Sequence, residues 1–493
     1  MLALCLVKFG VRVRIIDKLA AAGTTSRALA VQGRTLEFYQ QMGLAEAVVE
    51  RGHKVPAVNL WVKSKPSARI PLGNLGQGLT PFPFPIIFPQ DEHEAQLIAR
   101  LGALGIEIER QVELAEFEDL GGAIRATLRK AGAAETGNYA YLAGCDGARS
   151  RVREVLGAGF PGGTYDHLFY VADVDAAGPP MNGELHVDLD EADFLAVFPL
   201  QQNGRARLIG SIRDAAAKNP EHLRFEDVRG RAIHNLKLEI GNVNWFSIYR
   251  VHHRVARQFR KGRAFLLGDA AHIHSPVGGQ GMNTGIGDAV NLAWKLAAAL
   301  KEPCSASLLD SYEPERIAFA RQLVATTDRV FTALISSSAF ARFVRTKAIP
   351  AIAPGLFRLA AVRRLAFRTV SQIGVNYRDS PLSRGGAGKL RGGDRLPWVQ
   401  FGQGQEHNFT SLASMDWQLH VYGEAAPDLR AIAASAEIPL HAFPWDERMK
   451  RAGLLRDAAY LIRPDGYIGL AGAKGSASAV DAYLGEKNLR TIN

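Results

Sequence analysis

The residues with the most legible chemistry lie in one stretch, Gly268-Asp269-Ala270-Ala271-His272 running on to Pro276-Val277-Gly278-Gly279-Gln280-Gly281-Met282-Asn283. The short apolar run at 263–267 reads as a strand that delivers Asp269 to a sheet edge, where a carboxylate can accept a hydrogen bond from a sugar-type hydroxyl. The glycines then let the backbone approach a flat ring. The helix expected over 283–300 would aim its positive N-terminus at negative charge on that ring. A second stretch, Cys145-Asp146-Gly147-Ala148-Arg149-Ser150-Arg151-Val152-Arg153, also follows a strand pattern. An Asp-Gly pair there is turn chemistry by itself, and Arg151 and Arg153 read equally well as solvated helix charges. The third signal is an alternating strand over 11–17 that ends in Asp17, where a parallel βαβ unit places an acid for sugar hydroxyls.

Taken together, these segments resemble the aromatic-ring hydroxylase family of FAD-dependent monooxygenases, the class A flavoprotein group that includes p-hydroxybenzoate and phenol hydroxylases. The resemblance implies FAD as cofactor, NAD(P)H and O2 as co-substrates, and hydroxylation of an aromatic or phenolic small molecule through a flavin C4a-hydroperoxide. It assigns Asp269 to the ribityl chain and sets Pro276, Gly279, Gly281, Met282 and Asn283 around the flavin, with the amides of the last three facing its pyrimidine edge. A helix N-terminus there stabilises the charge that reduced flavin carries near N1. By the same resemblance Asp17 meets the adenosine ribose, Arg27 and Gln90 the diphosphate and ribityl region, and Asp146 orders the segment near the pyrophosphate. No catalytic acid or base is named, and no metal is expected.

One feature departs from the family. A dinucleotide-binding unit ordinarily opens with an apolar strand and a G-x-G-x-x-G turn, whereas Met1 already lies in the helical pattern at 3–9 that should follow those glycines. The chain is therefore expected to start late relative to the family, or to be a variant without the loop. Rival readings are a reductase or halogenase of the same fold, or an inactive homologue that keeps the fold. Against a halogenase, Trp245 stands alone and the W-x-W-x-I-P pattern is absent.

These residues need a frame to position them. The expected fold class is α/β, a Rossmann-type FAD-binding domain interleaved with a β-sheet substrate domain, plus a C-terminal thioredoxin-like module. The FAD-binding domain is read as 1–165 and 255–385 with a helical extension, the β-rich substrate domain as 166–254, and the tail as 395–493. Residues 385–397, rich in Gly, Arg and Pro, read as a linker. A length of 493 residues supports two or three cores. The 59 basic residues against 49 acidic ones are scattered and match no nucleic-acid motif. Three cysteines, Cys5, Cys145 and Cys304, form neither a disulfide framework nor a zinc pattern, which suits a reducing cytoplasm. No span, export signal or lipid anchor is visible, so no membrane partner is expected, and the tail makes a homodimer the expected assembly.

Overall fold

The computed structural model describes residues 1–493 apart from 24–27, 190–193, 201–203, 213–222, 229, 302–305, 337, 403–405, 474–475 and 488–493. Its organising element is the helix Gly281–Lys301, buried along Ile286, Val290, Leu292, Leu296 and Ala297 and packed against the helices Leu2–Lys8 and Tyr312–Ile335. The sequence pattern anticipates that helix to within two residues. Two short pieces of parallel sheet flank it. Ile15–Asp17 pairs with Ile108–Arg110, with Asp17 opposite Arg110. Leu142–Gly144 pairs with Ala264–Leu266, and Leu267 N–H continues the ladder to Gly144 O at 3.0 Å. The strand expected over 11–17 is regular only in its last three residues.

An eight-stranded sheet forms a second layer. Its order is His272–Ile273, Glu239–Val255, Gly162–Ala177, Arg205–Ile212, Leu195–Pro199, Leu185–Asp188, Ala57–Val62, Lys65–Pro71. Two of these strands come from 57–71, joined through the parallel pairing of Leu185–Asp188 with Ala57–Val62. Because side chains alternate along a strand, the sheet separates two apolar surfaces. Leu168, Tyr170, Ala172, Val174, Val197 and Leu208 pack under Phe225, Ile233 and Leu236. On the opposite face Val171 and Ile209 join Leu29, Val55 and Ile87.

The C-terminal part is a six-stranded sheet ordered Leu390–Arg391, Arg384–Ala387, Ile468–Gly472, Ala459–Ile462, Gln418–Tyr422, Leu440–Phe443, with helices Pro427–Ser435, Glu447–Ala452 and Ala477–Lys487. The stretch 385–397 is thus no free linker. Gly385 sits at φ +71, and a Cβ there would meet Ala471 O at 2.2 Å, so glycine is what lets the two backbones approach. This sheet is fixed to the rest by buried charge. Glu315 lies 2.7 Å from Lys295 and 2.8 Å from Arg463, which in turn holds Asp465 at 2.7 Å. Burial pushes the Glu315 carboxyl up, but Arg463 and Lys295 outweigh it and hold it well below the usual range. Burial brings Lys295 down to about 8 against the pull of Glu315.

Candidate functional site

The Asp-Gly turn and the glycine loop meet where the two parallel strands Leu142–Gly144 and Ala264–Leu266 end. Asp146 Oδ2 accepts Val152 N–H at 3.0 Å and Ser150 Oγ accepts Arg153 N–H at 2.9 Å, so together they cap the helix Arg151–Leu156. Arg153 then crosses between the motifs, donating to Ala148 O at 2.7 Å and Ala270 O at 3.0 Å. It is a clamp between two loops. Its neighbour Arg151 donates to Ala115 O at 2.8 Å.

Asp269 lies exposed in the 3-10 turn Gly268–Ala270. That turn is held from beneath by a carboxylate that the sequence reading passed over. Asp288, fully buried about two turns into the long helix, accepts Gly268 N–H at 2.9 Å and His272 Nε2–H at 2.8 Å on one oxygen. Its other oxygen takes Arg316 Nε–H at 2.6 Å. Burial would raise the Asp288 carboxyl, but Arg316 and His272, helped by the Gly268 amide, keep it below its ordinary value. Arg316 reaches on to Tyr377 OH at 2.8 Å and Thr284 O at 3.1 Å. A polar stripe Asp288, Asn291, Lys295 on an otherwise apolar helix, spaced three to four residues apart, is the pattern that could have revealed this network.

Asn283 works in the same way nearer the helix start. Its Oδ1 accepts Gln32 N–H at 2.9 Å and Thr35 Oγ1–H at 2.7 Å, while its Nδ2 donates to Ala30 O at 2.8 Å and Gly279 O at 2.7 Å. Side-chain capacity is used up, leaving the helix amides for a ligand. Gly279 is required by packing, since a Cβ there would come within 2.5 Å of Ala30 Cβ. Pro276 is exposed, and Met282 Sδ lies 3.1 Å from His93 Nδ1. His93 Nε2 accepts the Tyr39 hydroxyl, and burial brings its pKa down to about 4.

At the other end, Asp17 accepts Leu19 N–H at 2.9 Å and is braced by Arg110 at 2.7 Å. Gln90 opens the helix Gln90–Ala103, and its Oε1 accepts Ala28 N–H at 3.3 Å. Arg27 lies outside the described residues. The structure therefore gathers Asp146, Asp269, Pro276, Gly279, Gly281, Met282 and Asn283 around two adjoining loops and leaves Asp17 on the separate sheet piece with Ile108–Arg110.

The residues present fit a flavin nucleotide. A Cβ built on Gly281 would touch only the His274 ring, at 3.7 Å, and one on Gly147 would meet nothing within 4 Å, so both backbones face open space. Two buried polar atoms beside the predicted positions have no partner among the described residues, Asp91 Oδ1 next to Gln90 and His274 Nε2 next to Gly281. His274 Nδ1 bonds Ser275 O at 2.8 Å, and a carbonyl only accepts, so Nδ1 carries the proton and Nε2 presents a lone pair. Burial keeps that imidazole neutral, its pKa down to about 4.

Adjoining this loop through Ala30, the second face of the eight-stranded sheet carries Leu72, Leu185, Phe194, Phe198, Trp245 and Tyr249, packed on buried residues but themselves only half buried. Beneath them Arg207 grips Asp173 with two bonds of 2.6 Å.

The chain is similar to known proteins over most of its length. Residues 1–327 match the family model described as FAD binding domain. The 6-methylpretetramide 4-monooxygenase of Streptomyces rimosus is 34% identical, over 96% of this chain and 89% of its own length. The pentachlorophenol 4-monooxygenase of Sphingobium chlorophenolicum is 30% identical over 80% of this chain and 72% of its own. Among solved structures, the anhydrotetracycline hydroxylase OxyS of Streptomyces rimosus superposes with a TM-score of 0.79 at 27% identity, covering 99% of this chain and 96% of that one.

Proposed function

Since the chain belongs to the family of FAD-dependent aromatic-ring monooxygenases, we propose that its substrate is a fused polycyclic phenol, hydroxylated with reduced nicotinamide and O2. The observation that carries this reading is the half-buried aromatic face of the eight-stranded sheet. Phe194, Phe198, Trp245 and Tyr249 offer flat apolar surface over several strands, more than one phenol ring can cover. The names of two relatives, acting on 6-methylpretetramide and anhydrotetracycline, support the same class.

Bound FAD would supply hydride acceptance from the nicotinamide and activation of dioxygen. The chain's own residues do the rest. Asp269 would accept hydrogen bonds from the ribityl chain and Asp17 from the adenosine ribose, Gln90 and Arg27 would serve the diphosphate and ribityl region, and Asp146 with Arg153 orders the loop beside them. The amides of Gly281, Met282 and Asn283 would present the positive helix end to the pyrimidine edge, with Pro276 and Gly279 shaping the loop around it. Asp288 and Asn283 hold that loop still, and the apolar sheet face orients the phenol and excludes water. The His274 Nε2 lone pair is available to accept a proton donor beside Gly281.

In the same reading the interleaved domains are of Rossmann type with a β-sheet substrate domain, and the C-terminal sheet is thioredoxin-like. Its parallel Gln418–Tyr422 and Leu440–Phe443 pair, followed by the antiparallel Ala459–Ile462 and Ile468–Gly472 strands and the closing helix Ala477–Lys487, supports that. No cysteine follows Cys304, so its role is packing rather than dithiol exchange.

The test is substrate-dependent oxygen uptake with NADPH or NADH over phenols of one to four rings, with product mass. A gain of one oxygen atom on a fused-ring phenol is expected. Equal turnover of a single-ring phenol would overturn the substrate class, and a halogenated product the reaction.

A further inference from the structure

Between Asp328 and Asp379 lie fifty residues without one carboxylate side chain, where the chain's average would give about five, and nine of the fifty are arginine or lysine. The same stretch holds most of the exposed large apolar side chains among the described residues. Phe340 is 78% exposed, Leu365 69%, Phe343 59%, Leu359 56% and Ile352 54%. They ride on the helices Ala339–Phe343, Ile349–Leu356 and Ala360–Val370, linked by the π turn Val344–Ala348. Phe340 with Phe343, and Ile352 with Leu356, sit one helical turn apart and so share faces. Arg342, Lys347, Arg358, Arg364 and Arg368 are exposed among them.

So many exposed large apolar side chains gathered in one segment mark an interaction surface. We propose that this helical segment is a docking surface for an anionic phospholipid membrane. Apolar side chains flanked by arginine and lysine are the composition of helices that lie in the lipid interface, the rings entering the acyl boundary while the cations meet headgroup phosphates. Charge decides against the other obvious occupant. A second copy seated here by two-fold symmetry would set basic surface against basic surface, with no carboxylate in the segment to answer it. The neighbouring strand Lys65–Pro71, against which Ile349–Leu356 packs, extends the positive field with Lys65 and, just before it, Lys63.

No helix among the described residues is long and apolar enough to cross a membrane. Attachment is therefore at the surface, and it revises the expectation that no membrane is involved, which rested on looking for spans and anchors. The segment is also tied directly to the flavin loop. Val370 O accepts Gln280 Nε2–H at 2.9 Å, and Ser371 O accepts Arg34 N–H at 3.0 Å. Docking by this face would hold the loop beside the phase in which an apolar polycyclic phenol concentrates.

Flotation of the full chain with vesicles of phosphatidylcholine containing about a third phosphatidylglycerol, against pure phosphatidylcholine, tests the proposal. Binding to the anionic vesicles alone, released by salt, is expected. The double variant Arg342→Glu, Arg364→Glu should weaken it about fivefold or more for each charge. The double variant Phe340→Ser, Leu365→Ser should weaken it comparably, with thermal midpoint and FAD uptake unchanged in both. Equal recovery with neutral and anionic vesicles would overturn the proposal. So would light scattering that shows a dimer dissolved by Phe340→Ser, Leu365→Ser, since the patch would then be covered by a second copy.

Discussion

At the start of the Gly281–Lys301 helix nearly every polar side chain is committed, with Asn283 making four hydrogen bonds and Asp288 three. On the adjoining sheet face the side chains are apolar, aromatic and half buried, resting on a core without being enclosed by it. The first region is organised before any ligand arrives, which suits a cofactor whose reactive ring must be held the same way in every turnover. The second region loses little by being altered, which suits a surface that can be refitted from one aromatic substrate to another. In the proposed reading, one helix end and one sheet face divide the labour of the site.

The largest effect should come from breaking the buried hub. Asp288→Ala removes the carboxylate that answers Arg316, leaving a fully buried guanidinium uncompensated, a loss of about 3–5 kcal/mol. Urea unfolding would measure it, and FAD retention on a desalting column should fall with it. If Asp288→Ala matched the parent in both, the hub would not hold the loop. Asn283→Ala should cost less, about 1–3 kcal/mol, through orphaned partners at Gln32, Thr35, Ala30 and Gly279. Calorimetry would show this as a lowered midpoint.

A pH scan sharpens the contrast from another side. With its pKa near 4, His93 stays neutral in the fold where the unfolded chain, near the ordinary 6.5, takes up a proton. Its contribution is therefore complete above about pH 6.5 and lost as pH falls towards 4, with a slope of at most about 1.4 kcal/mol per pH unit. His93→Asn should flatten the stability curve in that window by that amount, and an unchanged slope would remove His93 from the account. The smallest stability change belongs to the sheet face. Phe198→Ala should cost no more than about 1.5 kcal/mol while raising KM for a fused-ring phenol roughly tenfold with FAD affinity unaltered.

The same division explains what could be read from sequence. The Gly281–Lys301 helix, the strand before Gly268 and the acid closing Ile15–Asp17 are local patterns, visible in apolar periodicity and glycine placement. The buried network was not legible. A charged residue on a helix reads as solvated until its partner is known, and the partners of Asp288 and Lys295 lie on the Tyr312–Ile335 helix. Likewise 57–71 gives no sign that it will join strands more than a hundred residues away, and Gly385 looks like linker because the contact that requires it, with Ala471, also lies far along the chain. The aromatic face escaped for a related reason. Trp245 looks like an ordinary core residue and Tyr249 like part of a solvated edge strand until the alternation of four strands sets them on one surface.

The most direct test of this division follows flavin absorbance while the protein is titrated first with FAD and then with a fused-ring phenol. Trp245→Ala should take up FAD as the parent does and lose the spectral response to the phenol, whereas Asp288→Ala should fail at the first titration. FAD binding weakened equally by both variants, or a phenol response that survives Trp245→Ala, would contradict the assignment of cofactor and substrate to these two regions.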